Sequence, residues 1–172
     1  MSLQGVLLAL LSKEPNTGYG LGRMLRTELS HVWSAQIQQV YSELQRMHAD
    51  GLLAVETIEL PKRQAKKLYA ITAAGLAALD AWVLEEPQPQ PTRDDLLARL
   101  YVLERVPNPV IHRLADRERR SEEEAARLRV RIAELDGQDR SGLGLRLTLQ
   151  AALSLAEAQA SWCNAAIIAA SD

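Results

Sequence analysis

Apolar residues recur at helical spacing from the start of the chain. Leu3, Val6, Leu7, Leu10 and Leu11 form the stripe of an amphipathic helix over residues 2–12. The run Glu14-Pro15-Asn16-Thr17-Gly18 reads as a stop followed by a cap. A second helix over 18–29 carries Tyr19, Leu21, Met24, Leu25 and Leu29. A third, over 35–49 after the candidate cap Ser34, places Ile37, Val40, Leu44 and Met47 on one face, and Asp50-Gly51 ends it. The period then changes. LLAVETIEL and KKLYAIT are short, rich in β-branched and aromatic residues, and flank PKRQA, which predicts a two-stranded hairpin with a basic tip. After the candidate cap Thr72, AAGLAALDAWVL returns to helix.

The clearest boundary is EEPQPQPTRDD, residues 85–95, whose alternating prolines cannot continue a helix and favour an extended, fairly stiff connector. It divides the chain into a unit over 1–84 and a unit over 96–172. Beyond it the pattern is helical throughout. Residues 93–105 carry Leu96, Leu97, Leu100, Tyr101 and Leu103. From Asn108-Pro109 to Asp136-Gly137, Ile111, Leu114, Ala125, Leu128, Ile132 and Leu135 mark a coiled-coil-like seam, weakened in its middle by Glu118 and Ser121. The last helix, about 141–170, has only Arg146 and Glu157 as charged residues. A helix apolar nearly all round must be buried nearly all round, which predicts a second subunit, with Leu149, Leu153 and Trp162 at the dimer interface. The expected fold is mainly α with a small β-hairpin: a winged helix-turn-helix domain followed by a helical dimerisation domain.

Composition sharpens this outline. The 172 residues carry a net charge of −2 and a single cysteine, Cys163, so no disulfide forms within one chain. No signal-peptide pattern and no membrane span are apparent, and a cytoplasmic protein is expected. The small net charge hides an asymmetry. All four lysines precede Leu84, and Lys62, Arg63, Lys66 and Lys67 form a cluster that no acid interrupts. The arginines of the second half alternate with Glu and Asp, as on a solvated helix face.

Three helices and a hairpin with a basic tip suit double-stranded DNA. A recognition helix needs one face in the core and one free for base edges. Opposite the inner face, the third helix presents Gln36, Gln38, Gln39 and Ser42 as candidates for base readout. Arg46 and the wing cations Lys62, Arg63, Lys66 and Lys67 are candidates for phosphate contact.

Several short motifs closely resemble the PadR family of bacterial transcriptional regulators. They are Thr17-Gly18-Tyr19-Gly20-Leu21, Val40-Tyr41-Ser42-Glu43-Leu44-Gln45-Arg46-Met47, Asp50-Gly51-Leu52-Leu53, and Lys67-Leu68-Tyr69-Ala70-Ile71-Thr72-Ala73-Ala74-Gly75. In the second half, Arg93-Asp94-Asp95-Leu96, Leu147-Thr148-Leu149 and Ser161-Trp162 look like the longer branch with a virulence-activator-like C-terminal domain, a looser match. The Gln-Gln pair before Val40-Tyr41 departs from the common pattern. The resemblance implies a homodimer on an inverted-repeat operator, usually a repressor, released by a small aromatic effector. It also makes Tyr19 and Tyr41 candidate phosphate contacts through their hydroxyls.

Other classes find little support. His31, His48 and His112 are widely spaced and Cys163 is alone, so no metal site is expected. No catalytic triad, phosphate loop or dinucleotide motif occurs, and neither an enzyme nor a cofactor is expected. Among the tryptophans, Trp33, Trp82 and Trp162, the second is the candidate for an effector pocket. The competing reading is a protein-interaction or ligand-sensing module whose helix-turn-helix no longer binds DNA.

Overall fold

A computed structural model of the 172-residue chain describes residues 3–60, 63–87, 93–105, 107–135 and 142–171; the side chains of Leu60, Arg63, Gln64 and Pro107 lie outside that description. The backbone divides into two units, Met1–Gln90 and Pro91–Asp172.

The first unit runs α1 (Leu3–Leu11), β1 (Asn16–Thr17), α2 (Gly18–Thr27), α3 (Ile37–Ala49), β2 (Leu53–Leu60), β3 (Arg63–Ile71) and α4 (Ala73–Leu84). α1 is buried over more than a stripe, with Val6, Leu7, Leu8, Leu10 and Leu11 all in the core. Leu21 and Leu25 of α2, Val40, Leu44 and Met47 of α3, and Leu53 and Tyr69 of the sheet complete one cluster. α2 starts where the Thr17 hydroxyl accepts the Gly20 N–H at 3.1 Å, and it ends two residues before the pattern predicted.

α3 differs at its start. It begins at Ile37 with Gln36 as N-cap, not after Ser34. The Gln39 side-chain oxygen accepts the Gln36 backbone N–H at 2.9 Å, satisfying a donor that the helix cannot. Gly51, at φ 75°, then turns the chain out of α3 into β2.

The sheet has three strands in the order β1-β3-β2. β2 and β3 pair antiparallel from Leu53↔Ile71 to Leu60↔Arg63, with an irregularity between Ile58 and Leu60. β1 was read from sequence as a stop and cap. It adds Asn16↔Tyr69 and Thr17↔Leu68 to the other edge of β3. At the exit, the Thr72 hydroxyl reaches the carbonyls of Gly51 at 2.8 Å and Leu52 at 3.0 Å and accepts the Gly75 N–H at 3.1 Å. A Cβ on Gly75 would collide with the Leu52 carbonyl, so this spacing of Thr and Gly is what lets α4 start against the end of α3.

The second unit contains α5 (Asp95–Leu100), a 3₁₀ turn (Leu103–Arg105), α6 (Pro107–Glu134) and α7 (Leu143–Ser171). The single helix expected over 93–105 is therefore broken. Asp94, expected in the connector, caps α5 by accepting the N–H groups of Leu96 and Leu97 at 3.0 and 3.1 Å. Its carboxylate also takes a bidentate pair from Arg117, at 2.6 and 2.8 Å. That pair holds the Asp94 carboxyl down at about 2, with the two backbone donors helping.

α6 and α7 form an antiparallel hairpin with two apolar clusters. One holds Leu96, Val110, Leu114 and Cys163; the other holds Leu128, Leu135 and Leu149. Between them lies a polar layer. The buried Ser121 hydroxyl donates to Gln159 at 3.0 Å, and Asn164 donates to Glu118 at 2.9 Å. The seam is thus weakened where the sequence indicated, and the weak positions are hydrogen-bonded across the pair. Burial pushes the Cys163 thiol up, in keeping with a packing role.

The residues of α7 differ in how far a single chain covers them. Leu149 is 2% exposed within the single chain, and Leu153 packs beside it against Leu128, so both are committed to the α6–α7 contact. Counting about 100° per residue, Leu147, Leu155 and Trp162 lie on the opposite side of α7. Those three are 55%, 73% and 41% exposed. No helix among the described residues is long and apolar enough to cross a membrane.

Candidate nucleic-acid interface

α3 is anchored by three residues with no accessible surface, Val40, Leu44 and Met47. Ile37 closes the inner face by packing over Gly22 of α2. That fixes what the other face presents. Gln38, Gln39 and Ser42 are exposed along one side, and with Trp33, Ser34, Ala35 and Leu3 they line a shallow groove. Gln36 is displaced from this helical face into the cap position, because α3 starts later than predicted. Gln39 has its side-chain oxygen engaged in the cap, which leaves its amide N–H groups as the donors free to read an acceptor. Trp33 was not singled out for this surface. It precedes the helix, and helical periodicity carries no information about a residue outside the helix.

Arg46 lies further along α3 and is not a free cation. Its guanidinium donates to both oxygens of Glu43, at 2.5 and 3.2 Å, and reaches Gln4 at 3.4 Å. Glu43 accordingly favours the charged form of Arg46 while cancelling its charge at longer range. His48 sits at the end of the helix and ties it to the sheet, with Nδ1 2.9 Å from the Leu53 carbonyl. A carbonyl only accepts, so the proton resides on Nδ1.

Tyr19 of α2 and Tyr41 of α3 lie near the start of α2. Tyr19, the second residue of α2, is 63% exposed and contributes little to the core. Tyr41 is 41% exposed and lays its ring against Gly18, where a Cβ would overlap it. Glycine at the first position of α2 is therefore a seat for that ring. Tyr69 lies beneath in the core; burial first, and Tyr41 second, push its phenol up.

The wing is β2 and β3. Lys62 lies outside the described residues, and Arg63 is placed by its backbone alone, opposite Leu60. Lys66 and Lys67 are exposed opposite Ile58 and Thr57. Being consecutive on a strand, they project to opposite faces, with Lys67 on the face of Tyr69. Lys66 and Lys67, adjacent in sequence, are thus not on one face of the wing.

Trp82 packs against the core with its indole over Gly5 of α1. Its remaining surface lines a shallow groove with Gln4, Leu8, Ala78, Ala81 and Glu85. Among the described residues no group of three His, Cys, Asp or Glu is placed to hold a metal ion.

Comparison with known proteins agrees with this fold. Residues 7–81 match the Transcriptional regulator PadR-like family, and residues 92–170 match the Virulence activator alpha C-term family. The Negative transcriptional regulator PadR of Bacillus subtilis is 28% identical over 102 residues, 59% of this chain and 56% of that protein. The chain thus spans about half the length of the curated relatives it matches. The solved structure of Bacillus subtilis PadR with operator DNA superposes with a TM-score of 0.88 at 23% identity, covering 98% of both chains. The same Bacillus protein has also been solved with p-coumaric acid, matching at a TM-score of 0.82 over 99% of both chains and 23% identity. The Vibrio cholerae virulence activator AphA matches at a TM-score of 0.78 and 27% identity, over 97% of this chain and 96% of that one.

Proposed function

The chain belongs to the PadR-like family of transcriptional regulators, and from that premise we propose that it is a homodimeric repressor that binds an inverted-repeat operator and is released by a small aromatic effector. The observation that carries the reading is the α3 surface. A helix pinned by three fully buried residues leaves Gln38, Gln39 and Ser42 in an exposed row, beside the exposed Tyr19 and Tyr41. Glutamine pairs with adenine edges, and a small serine allows close approach. In this reading Gln38, Gln39 and Ser42 read bases and Gln36 contributes from the cap. Tyr19, Tyr41 and the wing cations Lys62, Arg63, Lys66 and Lys67 bind phosphate, and Arg46 joins them by exchanging Glu43 for a phosphate.

Self-association is supported by Leu147, Leu155 and Trp162, a wide apolar face that a single copy leaves in water. Trp82 and its groove are the candidate effector contact; the p-coumaric acid complex of the Bacillus relative supports an aromatic ligand of this kind.

The test is a salt-titrated mobility shift with the full chain on operator fragments selected from genomic DNA. Lys66→Ala with Lys67→Ala removes four charges from a dimer. At about 0.9 counterions per phosphate contact, the log–log salt slope should fall by up to about 3.6. Replacing Gln38 by Ala should reduce operator affinity more than affinity for random DNA. An unchanged slope, or equal losses on both DNAs, would instead favour a helix-turn-helix module that serves ligand or protein contacts alone.

A further inference from the structure

Five arginines, Arg93, Arg99, Arg113, Arg117 and Arg120, converge on one recess of the second unit, where α5 meets α6. In sequence they look like ordinary members of an alternating charged surface. The structure shows otherwise for their partners. Arg117 is neutralised by Asp94, and Arg99 by Asp95 at 2.8 Å. The Arg120 Nε donates to the Asp116 backbone carbonyl at 3.1 Å, which satisfies a donor but cancels no charge. Arg93 and Arg113 have no hydrogen-bond or ion-pair partner among the described residues. Three guanidiniums therefore face the recess uncompensated. Arg113, Arg117 and Arg120 share one face of α6, with Arg117 between the two that have no carboxylate partner.

The size and lining narrow the ligand. The recess holds about 330 Å³, near the lower end of the range for small-molecule sites. Its walls carry guanidinium forks, which bind planar carboxylates and phosphates with two parallel hydrogen bonds. The surrounding half of the chain is acidic, with fifteen Asp and Glu against twelve Arg beyond Leu84. Such a field disfavours a long polyanion and leaves room for a compact one.

We propose that this recess is a binding site for a small molecule bearing carboxylate or phosphate groups, held by Arg93 and Arg113 with Arg120 beside them. The ligand ties the α5 segment, through Arg93, to α6, through Arg113. Asp94 and Arg117 contribute less to holding it, because each neutralises the other's charge and the Asp94 carboxylate also caps α5. The recess lies within the second unit, and its existence does not depend on DNA binding.

The experiment is isothermal titration of the full, DNA-free chain with citrate and, separately, with inorganic phosphate, at constant ionic strength. The two probes distinguish a carboxylate ligand from a phosphate one. Arg93→Gln and Arg113→Gln are exposed changes that leave the fold intact, as circular dichroism would verify. Saturable binding of either anion, weakened at least about tenfold by each substitution, bears the proposal out. The same anion should raise the Tm of the native chain and lose that effect in the double variant. No saturable heat with either anion overturns it. So does binding that survives both substitutions, or a Tm shift that sodium chloride at equal ionic strength reproduces.

Discussion

Replacing Gly18 by Ala isolates the contact that seats the Tyr41 ring of α3 against the start of α2. On helix propensity alone the change is favourable by about 0.5–1 kcal/mol, since alanine is the better helix former. The structure reverses the sign. The new methyl would overlap the Tyr41 ring, lying 2.8 Å from Cδ1 and 3.3 Å from Cζ. Forcing a methyl into a packed contact costs about 1–3 kcal/mol, so after the propensity gain the net is a loss of up to about 2.5 kcal/mol. For a unit of this size each kcal/mol lowers the midpoint by about 4–8 °C. The decisive measurement is a double-mutant cycle by thermal and urea denaturation of the full chain, followed at the first unit's transition. In a Tyr41→Ala background the obstacle is gone, and Gly18→Ala should be neutral or stabilising by up to about 1 kcal/mol. A Gly18→Ala cost that is the same in both backgrounds would refute the reasoning, as would a single variant more stable than the parent. The same variant should also weaken operator binding, because the displaced ring carries the Tyr41 hydroxyl with it.

Gly75→Ala should destabilise by about 2 kcal/mol or more, since the atom it meets is the Leu52 backbone carbonyl, which cannot rotate away; urea midpoints would show it. Asp94 is held at about 2, below its usual 3.8, so its contribution to stability is present above about pH 4 and is lost as pH falls from 4 towards 2. Asp94→Asn keeps a side-chain oxygen for the α5 cap but removes the ion pair, and its unfolding midpoint should lose that part of the acid dependence. Leu155→Ser with Trp162→Ala should shift sedimentation towards the monomer while leaving the helix content of each chain intact. Leu149→Ala should instead cost about 2–5 kcal/mol in stability through a cavity inside the α6–α7 pair, and a purely associative loss there would contradict its placement.

The elements legible in the sequence were those whose periodicity is anchored by burial. Val40, Leu44 and Met47 announced α3, and Thr72 announced α4, because spacing and caps are local signals. β1 was hidden, since two residues carry no period and Asn16-Thr17 becomes a strand only when β3 arrives beside it. The start of α3 was misplaced because Ser34 and Gln36 can both serve as caps, and the glutamine at position 39 decided in favour of the later one. For α7, an apolar composition all round left the helix without a phase, so nothing local could say that Leu149 faces α6 and Leu155 faces away. Within the structure the family motifs act as packing devices. Gly18 seats Tyr41, and Gly75 admits a carbonyl. The arginine recess had no sequence signal, because α5 and α6 bring together residues that are separate in the chain.

The shortest element has a wider consequence. β1 pairs Asn16 and Thr17 with Tyr69 and Leu68, and Thr17 is also the residue on which α2 begins. Through those two residues the wing strand, the start of α2 and the Tyr41 ring on Gly18 become one mechanical body. Their relative positions are therefore fixed when the unit folds, and docking onto a duplex orders fewer internal degrees of freedom. A flexible two-stranded wing would have to lose that freedom at each encounter. If α3 and the wing bind DNA as proposed, affinity should depend on how well a duplex fits this preset shape, so that stiffness and groove width of the DNA would be discriminated alongside its bases.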